Sequence, residues 1–118
     1  MTTSPEPDVS VLVITYNHEP FIGRALEIVL MQRGVRIEVI VSEDRSSDST
    51  LAIVRAAAEA DPRIAVIASD RNLACNDTVL RALRGARGRF VSMLDGDDFW
   101  IVDDKLARQF HVALLAGQ

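Results

Sequence analysis

Apolar residues along this chain come in short bursts of strand length, separated by stretches with helical spacing. Val9 to Thr15, VSVLVIT, is β-branched and nearly continuous rather than alternating, which predicts a central strand covered on both faces. Glu19-Pro20 opens a helix, with proline at an early position where its missing N–H does no harm. Ile22, Leu26, Val29 and Leu30 supply the inward stripe of that helix, which stops near Gln32 to Gly34. Ile37 to Ser42, IEVIVS, repeats the strand signal. Ser46 to Thr50 is a cap-rich start to a second helix carrying Leu51, Val54, Ala57 and Ala58, and Asp61-Pro62 ends it. Ile64 to Ala68 predicts a third, shorter strand, and Asn76 to Ala86 a third helix with Val79, Leu83 and Ala86 on one face. Arg89 to Leu94 predicts a fourth strand of buried type, and about Asp104 to Leu115 a last helix with Leu106, Phe110, Ala113 and Leu114 facing in.

Strands that alternate with helical patterns across short turns imply right-handed βαβ crossovers. The expected fold is α/β and Rossmann-like, a mostly parallel sheet of about four strands with helices on both faces. Ligands of such sheets sit beyond the carboxyl ends of the strands. Polar clusters fall at those ends: Thr15-Tyr16-Asn17-His18-Glu19 after the first strand, Glu43-Asp44-Arg45-Ser46-Ser47 after the second, and Asp95-Gly96-Asp97-Asp98 after the fourth. With 118 residues, 48% of them hydrophobic, and no internal repeat or linker, residues 1–118 read as one domain with a real core. Residues 1–8 read as a flexible lead-in.

The stretch RFVSMLDGDDFW concentrates the candidate chemistry. In an extended segment Asp95 and Asp97 project to one side, with Gly96 leaving room between them. Two carboxylates so placed repel unless a cation is shared, which points to a divalent metal or a cationic partner. The same residues also serve as a turn and an N-cap for the following helix, and spacing alone leaves both readings open.

Several classes are excluded. A net charge of −4, from 17 acids against 13 bases, gives no basic footprint for nucleic acid. The first eight residues have no basic or apolar leader, and no apolar run reaches the ~18 residues of a spanning helix, so the expected location is the cytoplasm. Cys75 is the only cysteine, so an internal disulfide and a multi-cysteine zinc site are ruled out. The first loop has no glycine before Gly23, against both the dinucleotide fingerprint and the P-loop. An Asp-x-Asp nucleophile of the haloacid-dehalogenase type would follow the first strand, whereas here it follows the fourth.

VSVLVITYNHEPFIGRAL, EVIVSEDRSSDST, RNLACNDTVLRAL with ARGRFVSMLDGDDFW, and Lys105-Leu106 with Gln109 together resemble the nucleotide-binding half of the GT-A-fold glycosyltransferases of family 2, over about Val9 to Gln109. The resemblance implies transfer of a sugar from a nucleoside-diphosphate sugar to a hydroxyl acceptor (saccharide, lipid-linked or other), with inversion and with Mn2+ or Mg2+. It implies that Thr15, Tyr16 and Asn17 pack on base and ribose, with Glu19 in the same loop. Asp44 would hydrogen-bond the base, Asp95 and Gly96 would meet the ribose or sugar, and Asp97, with Asp95, would ligate the metal. An ionised Asp44 only accepts hydrogen bonds, which favours a uracil or thymine imide, hence a UDP- or dTDP-linked donor, over cytosine.

This sequence departs from the family pattern at Ile14, Ala74 and Val79, the last standing where a phosphate-directed arginine is common. Arg81, Arg84 and Arg87 read as a solvated face of the third helix, with Arg71 or Arg81 available to supply that charge. His18 and His111 read as loop and surface histidines. The resemblance also implies a catalytic base beyond Gln118, so the chain is expected to be a donor half without transfer activity of its own, with an apolar edge open to self-association. The competing expectation is a non-catalytic nucleotide-sugar-binding or assembly module.

Overall fold

The computed structural model describes residues 6–69, 75–96, 106, 108 and 109. Its elements are β1 (Val9–Thr15), α1 (Glu19–Leu30), β2 (Ile37–Glu43), α2 (Thr50–Ala60), β3 (Ile64–Ala68), α3 (Cys75–Arg84) and β4 (Phe90–Asp95). The strands form one parallel sheet in the order β3-β2-β1-β4. This is the expected α/β architecture, and the near-continuous apolar run of β1 occupies an interior position, as its composition required.

The core has two faces. Val9, Val11, Val13, Val39 and Val41 point to one side and pack with Ile22, Ala25, Leu26 and Val29 of α1, Val54 of α2, and Leu106. Leu12 and Ile40 point to the other side and pack with Ala82 of α3. The expected α1 stripe is buried at Ile22, Leu26 and Val29, with Ala25 added and Leu30 half-buried. That helix ends at Leu30, and Gly34 then turns the chain with φ 84, a conformation that glycine alone adopts freely.

Four expectations are corrected by packing. The buried residues of α3 are Thr78 and Ala82, while Leu83 of the expected Val79–Leu83–Ala86 stripe is exposed. Small residues face the sheet because α3 lies close to it: the Ser42 hydroxyl donates to Thr78 O at 3.2 Å. Arg87 lies past the end of α3, and its guanidinium pairs with Glu38 of β2 at 3.3 Å. β4 is an edge strand among the described residues, pairing only with β1, so Val91 and Met93 stand 44% and 53% exposed instead of buried. The lead-in is fixed at its end: Pro7 is buried, and Asp8 takes the Arg36 N–H at 2.9 Å. The expected last helix falls outside the described residues except at Leu106, Arg108 and Gln109, as do Arg71 and His111.

At the amino end of the sheet, the Ser10 hydroxyl donates to Glu38 at 2.5 Å, and the Arg87 N–H does so at 2.6 Å. Gly88 N–H donates to the Ser10 hydroxyl at 2.8 Å. A β-carbon on Gly88 would lie 2.5 Å from Ser10 N, so only glycine fits this crossing. No helix among the described residues is long and apolar enough to cross a membrane.

Candidate donor-binding site

Parallel pairing brings the carboxyl ends of β1, β2 and β4 to one rim. Thr15 is in register with Glu43, and Ile14 with Asp95. The loops beyond are tied to β1 by its own carbonyls: Thr15 O accepts from Asp44 N–H at 3.0 Å, and Ile14 O accepts from Gly96 N–H at 2.9 Å. The structure therefore gathers Thr15, Tyr16, Asn17, Glu19, Asp44, Asp95 and Gly96 at this end. Asp97, the expected metal ligand, lies outside the described residues.

Tyr16 is 44% exposed, a large aromatic face offered to solvent at the strand end. Asp44 is half-buried and Asp95 exposed. Thr15 is buried, with its hydroxyl 3.0 Å from His18 Nδ1. Gly96 rests on this pair, and a β-carbon there would collide with both Thr15 and His18. The glycine of Asp-Gly-Asp is thus required by close approach, and His18, expected as a plain loop residue, forms part of the floor under the acidic turn.

Two of the expected nucleotide-binding residues, both exposed, give polar groups to the neighbouring loop between β2 and α2. Asn17, at φ 53, accepts on Oδ1 from Ser47 N–H at 2.8 Å and from the Ser47 hydroxyl at 3.3 Å, and its own N–H donates to Ser46 Oγ at 2.8 Å. Glu19 accepts from Ser49 N–H at 2.7 Å. The Asp48 carboxylate joins the two helix starts, taking Thr50 N–H at 3.0 Å on one oxygen and Glu19 N–H at 3.2 Å on the other. This answers the question of how α2 is capped: Ser49, the residue at the cap, makes no side-chain cap bond, and Asp48 and Glu19 take the free amides instead. The Thr50 hydroxyl, followed by the backbone amides, holds the Asp48 carboxyl below its ordinary range.

Sequence reasoning assigned no role to Glu43, whose side chain is wholly buried at the end of β2. It accepts from Ser46 N–H at 2.7 Å and Arg45 N–H at 3.0 Å, with Arg45 at φ 53. The available signal was an ionisable residue closing a fully buried strand, where a charge needs dedicated partners. Arg81 of α3 donates from Nη1 to Ser69 Oγ, just past β3, at 2.5 Å, which brings that arginine to the β3 end of the same rim. Among the described residues no group of three or more His, Cys, Asp or Glu is arranged to hold a metal.

A parallel sheet of order β3-β2-β1-β4, with acids and an exposed tyrosine at its carboxyl rim, is a Rossmann-like α/β arrangement. The family model for Glycosyl transferase family 2 matches residues 10–113, and the chain belongs to that family. It is 42% identical over 111 residues to the succinoglycan biosynthesis protein ExoO of Rhizobium meliloti, covering 94% of this chain and 31% of that protein. Among solved structures it is similar to the mannosyltransferase PcManGT from Pyrobaculum calidifontis in complex with GDP-Man and Mn2+, at TM-score 0.79 and 32% identity over 88% of this chain and 31% of that one. It is also similar to S. aureus TarS 1-349 in complex with UDP, at TM-score 0.78 and 30% identity over 93% of this chain and 32% of that one. The chain thus spans about a third of the length of these relatives.

Proposed function

We propose that this chain binds the nucleoside-diphosphate-sugar donor of an inverting, metal-dependent glycosyltransferase whose acceptor is a hydroxyl group. The observation that carries the reading is the convergence of Tyr16, Asp44 and Asp95 on one rim, anchored through the Thr15 and Ile14 carbonyls of β1. Tyr16 offers a stacking face to the base. Asp44 accepts from a base N–H, which a uracil or thymine imide supplies and a cytosine ring does not. Asp95 reaches the ribose or sugar hydroxyls from the end of β4. The nucleotide complexes of PcManGT and TarS support a donor of this class.

The Asp95 carboxylate, exposed on the rim, supports a divalent cation in this reading, and Gly96 after it lies against Thr15 and His18. Asp97 with Asp95 would hold Mn2+ or Mg2+, which when bound stabilises negative charge on the departing diphosphate. Arg81, already at the rim through Ser69, is a candidate for the phosphate-directed charge absent at Val79. Acceptor seating and the general base belong, in this reading, to the part of the relatives that has no counterpart in this chain. A cytoplasmic setting and no role for nucleic acid complete it.

Calorimetry with UDP, GDP and CDP, with and without Mn2+, tests the reading. Metal-dependent UDP binding that disappears in Asp97→Ala while the fold is retained is the expected result. Unchanged metal-dependent affinity in that variant would reduce the acids to a turn and cap, and tight GDP with weak UDP would replace uridine as the base.

A further inference from the structure

Glu43 is an expensive way to close a turn. Exposed Asn, Asp and Ser side chains ordinarily hold such loops, whereas a fully buried carboxylate is tolerated only when its oxygens are met by well-placed donors. Here each oxygen takes one backbone N–H, Ser46 on Oε1 and Arg45 on Oε2. Asn17 holds the same turn from the side of β1, through the Ser47 N–H and hydroxyl and through Ser46 Oγ. Both Asn17 and Arg45 sit in the left-handed region at φ 53, uncommon for residues with a β-carbon and most often retained where a site needs it. Between the two grips lies Asp44, with its N–H fixed on Thr15 O at 3.0 Å. More order is built into these four residues than a connection between β2 and α2 requires.

We propose that Glu43 and Asn17 are positioning residues that clasp the 44–47 turn and so aim the Asp44 carboxylate at the base of the donor, setting which base is accepted. The inference rests on the reading of Asp44 as the base contact. It moves Asn17 from the surface that touches the nucleotide to the frame that holds Asp44.

The test is a comparison of UDP and CDP affinities in the protein and its variants. Glu43→Gln keeps the shape but turns an NH2 group toward one of the two backbone N–H donors. Asn17→Gly removes the amide and leaves the left-handed backbone unstrained. Each is expected to cut the preference for UDP over CDP by roughly tenfold, the scale of one spoiled hydrogen bond. Neither should reduce it further in an Asp44→Ala background, because all three act on one contact. Should Asp44→Ala abolish the preference while Glu43→Gln and Asn17→Gly keep it, the clasp is overturned and the base contact stands. Equal weakening of UDP and CDP in both clasp variants would make the clasp structural only. If the unmodified protein shows no preference, or Asp44→Ala leaves it intact, the base-contact reading fails and the proposal with it. Asn17→Gly decides alone if Glu43→Gln does not fold.

Discussion

Strand β2 carries a buried glutamate at each end, and the two are satisfied in opposite ways. Glu38 at the amino end takes its bonds from afar: the hydroxyl of Ser10 on β1, and the amide and guanidinium of Arg87 on the approach to β4. Glu43 at the carboxyl end is held by the Arg45 and Ser46 amides of its own loop. One carboxylate fastens three segments of the fold together, and the other shapes a single turn. Long-range ties at one end and local ties at the other leave the rim free to be specialised without loosening the sheet.

The glycines repeat the contrast, and substituting them gives the largest expected effect. A β-carbon at Gly88 meets backbone, Ser10 N at 2.5 Å and Val9 C at 2.8 Å, which cannot swing aside. Gly88→Ala should cost about 3 kcal/mol in urea unfolding, since overpacking against main chain displaces a strand. A β-carbon at Gly96 meets the side chains of Thr15 and His18. Gly96→Ala should cost only about 1 kcal/mol of stability while weakening nucleotide binding tenfold or more, because it tilts the Asp95 turn. The reverse ranking would erase the distinction between the two ends.

A second measurement sharpens the comparison through pH. Burial by itself would raise the Glu38 carboxyl, but the Ser10 hydroxyl and the Arg87 amide and guanidinium outweigh it and hold the group below its ordinary value. A depressed folded-state pKa contributes stability in full above the unfolded value of roughly 4.3, and that contribution is lost as pH falls through the folded one. Glu38→Gln should therefore be less stable than the unmodified protein by about 1–2 kcal/mol at pH 7, with the gap closing below about pH 4. A gap independent of pH would mean that the bonds act through shape alone.

The smallest effect belongs to Arg36. Its guanidinium is 3.5 Å from Asp8 and 63% exposed, so Arg36→Ala should move the unfolding midpoint by less than about 0.5 kcal/mol. The tie that matters there is the Arg36 backbone N–H to Asp8, which the substitution keeps.

These contrasts also mark what could be read in the residues beforehand. VSVLVIT and IEVIVS announced interior strands because β-branched runs without alternation fit only a sheet covered on both sides. The same logic misplaced FVSML, since a run of that kind does not reveal that β4 meets only β1 among the described residues. Of the α3 stripe, Ala86 packs on the core and Val79 is half-buried, but Leu83 is exposed: periodicity counts apolar residues, while close helix–sheet contact selects small ones such as Thr78 and Ala82. At the rim, the family resemblance singled out Tyr16, Asp44 and Asp95, and all three lie at the carboxyl end of the sheet. That Asn17 and Glu19 bond to the loop after β2, and that Glu43 carries a turn, depend on loop geometry that spacing along the chain does not encode.

The strand order has a consequence in time. Among the described strands β1 is synthesised before the others, yet one of its two partners, β4, follows all of them, with Val9 paired to Phe90. Until then the growing chain can pair β1, β2 and β3 and cover one face with α1 and α2, but the β4 side of β1 stays open. Contacts so distant in sequence slow folding and leave an aggregation-prone edge in the meantime. Ser10 and Gly88 meet at that late junction, so a fault there strands the paired β1, β2 and β3 with β1 open on one side.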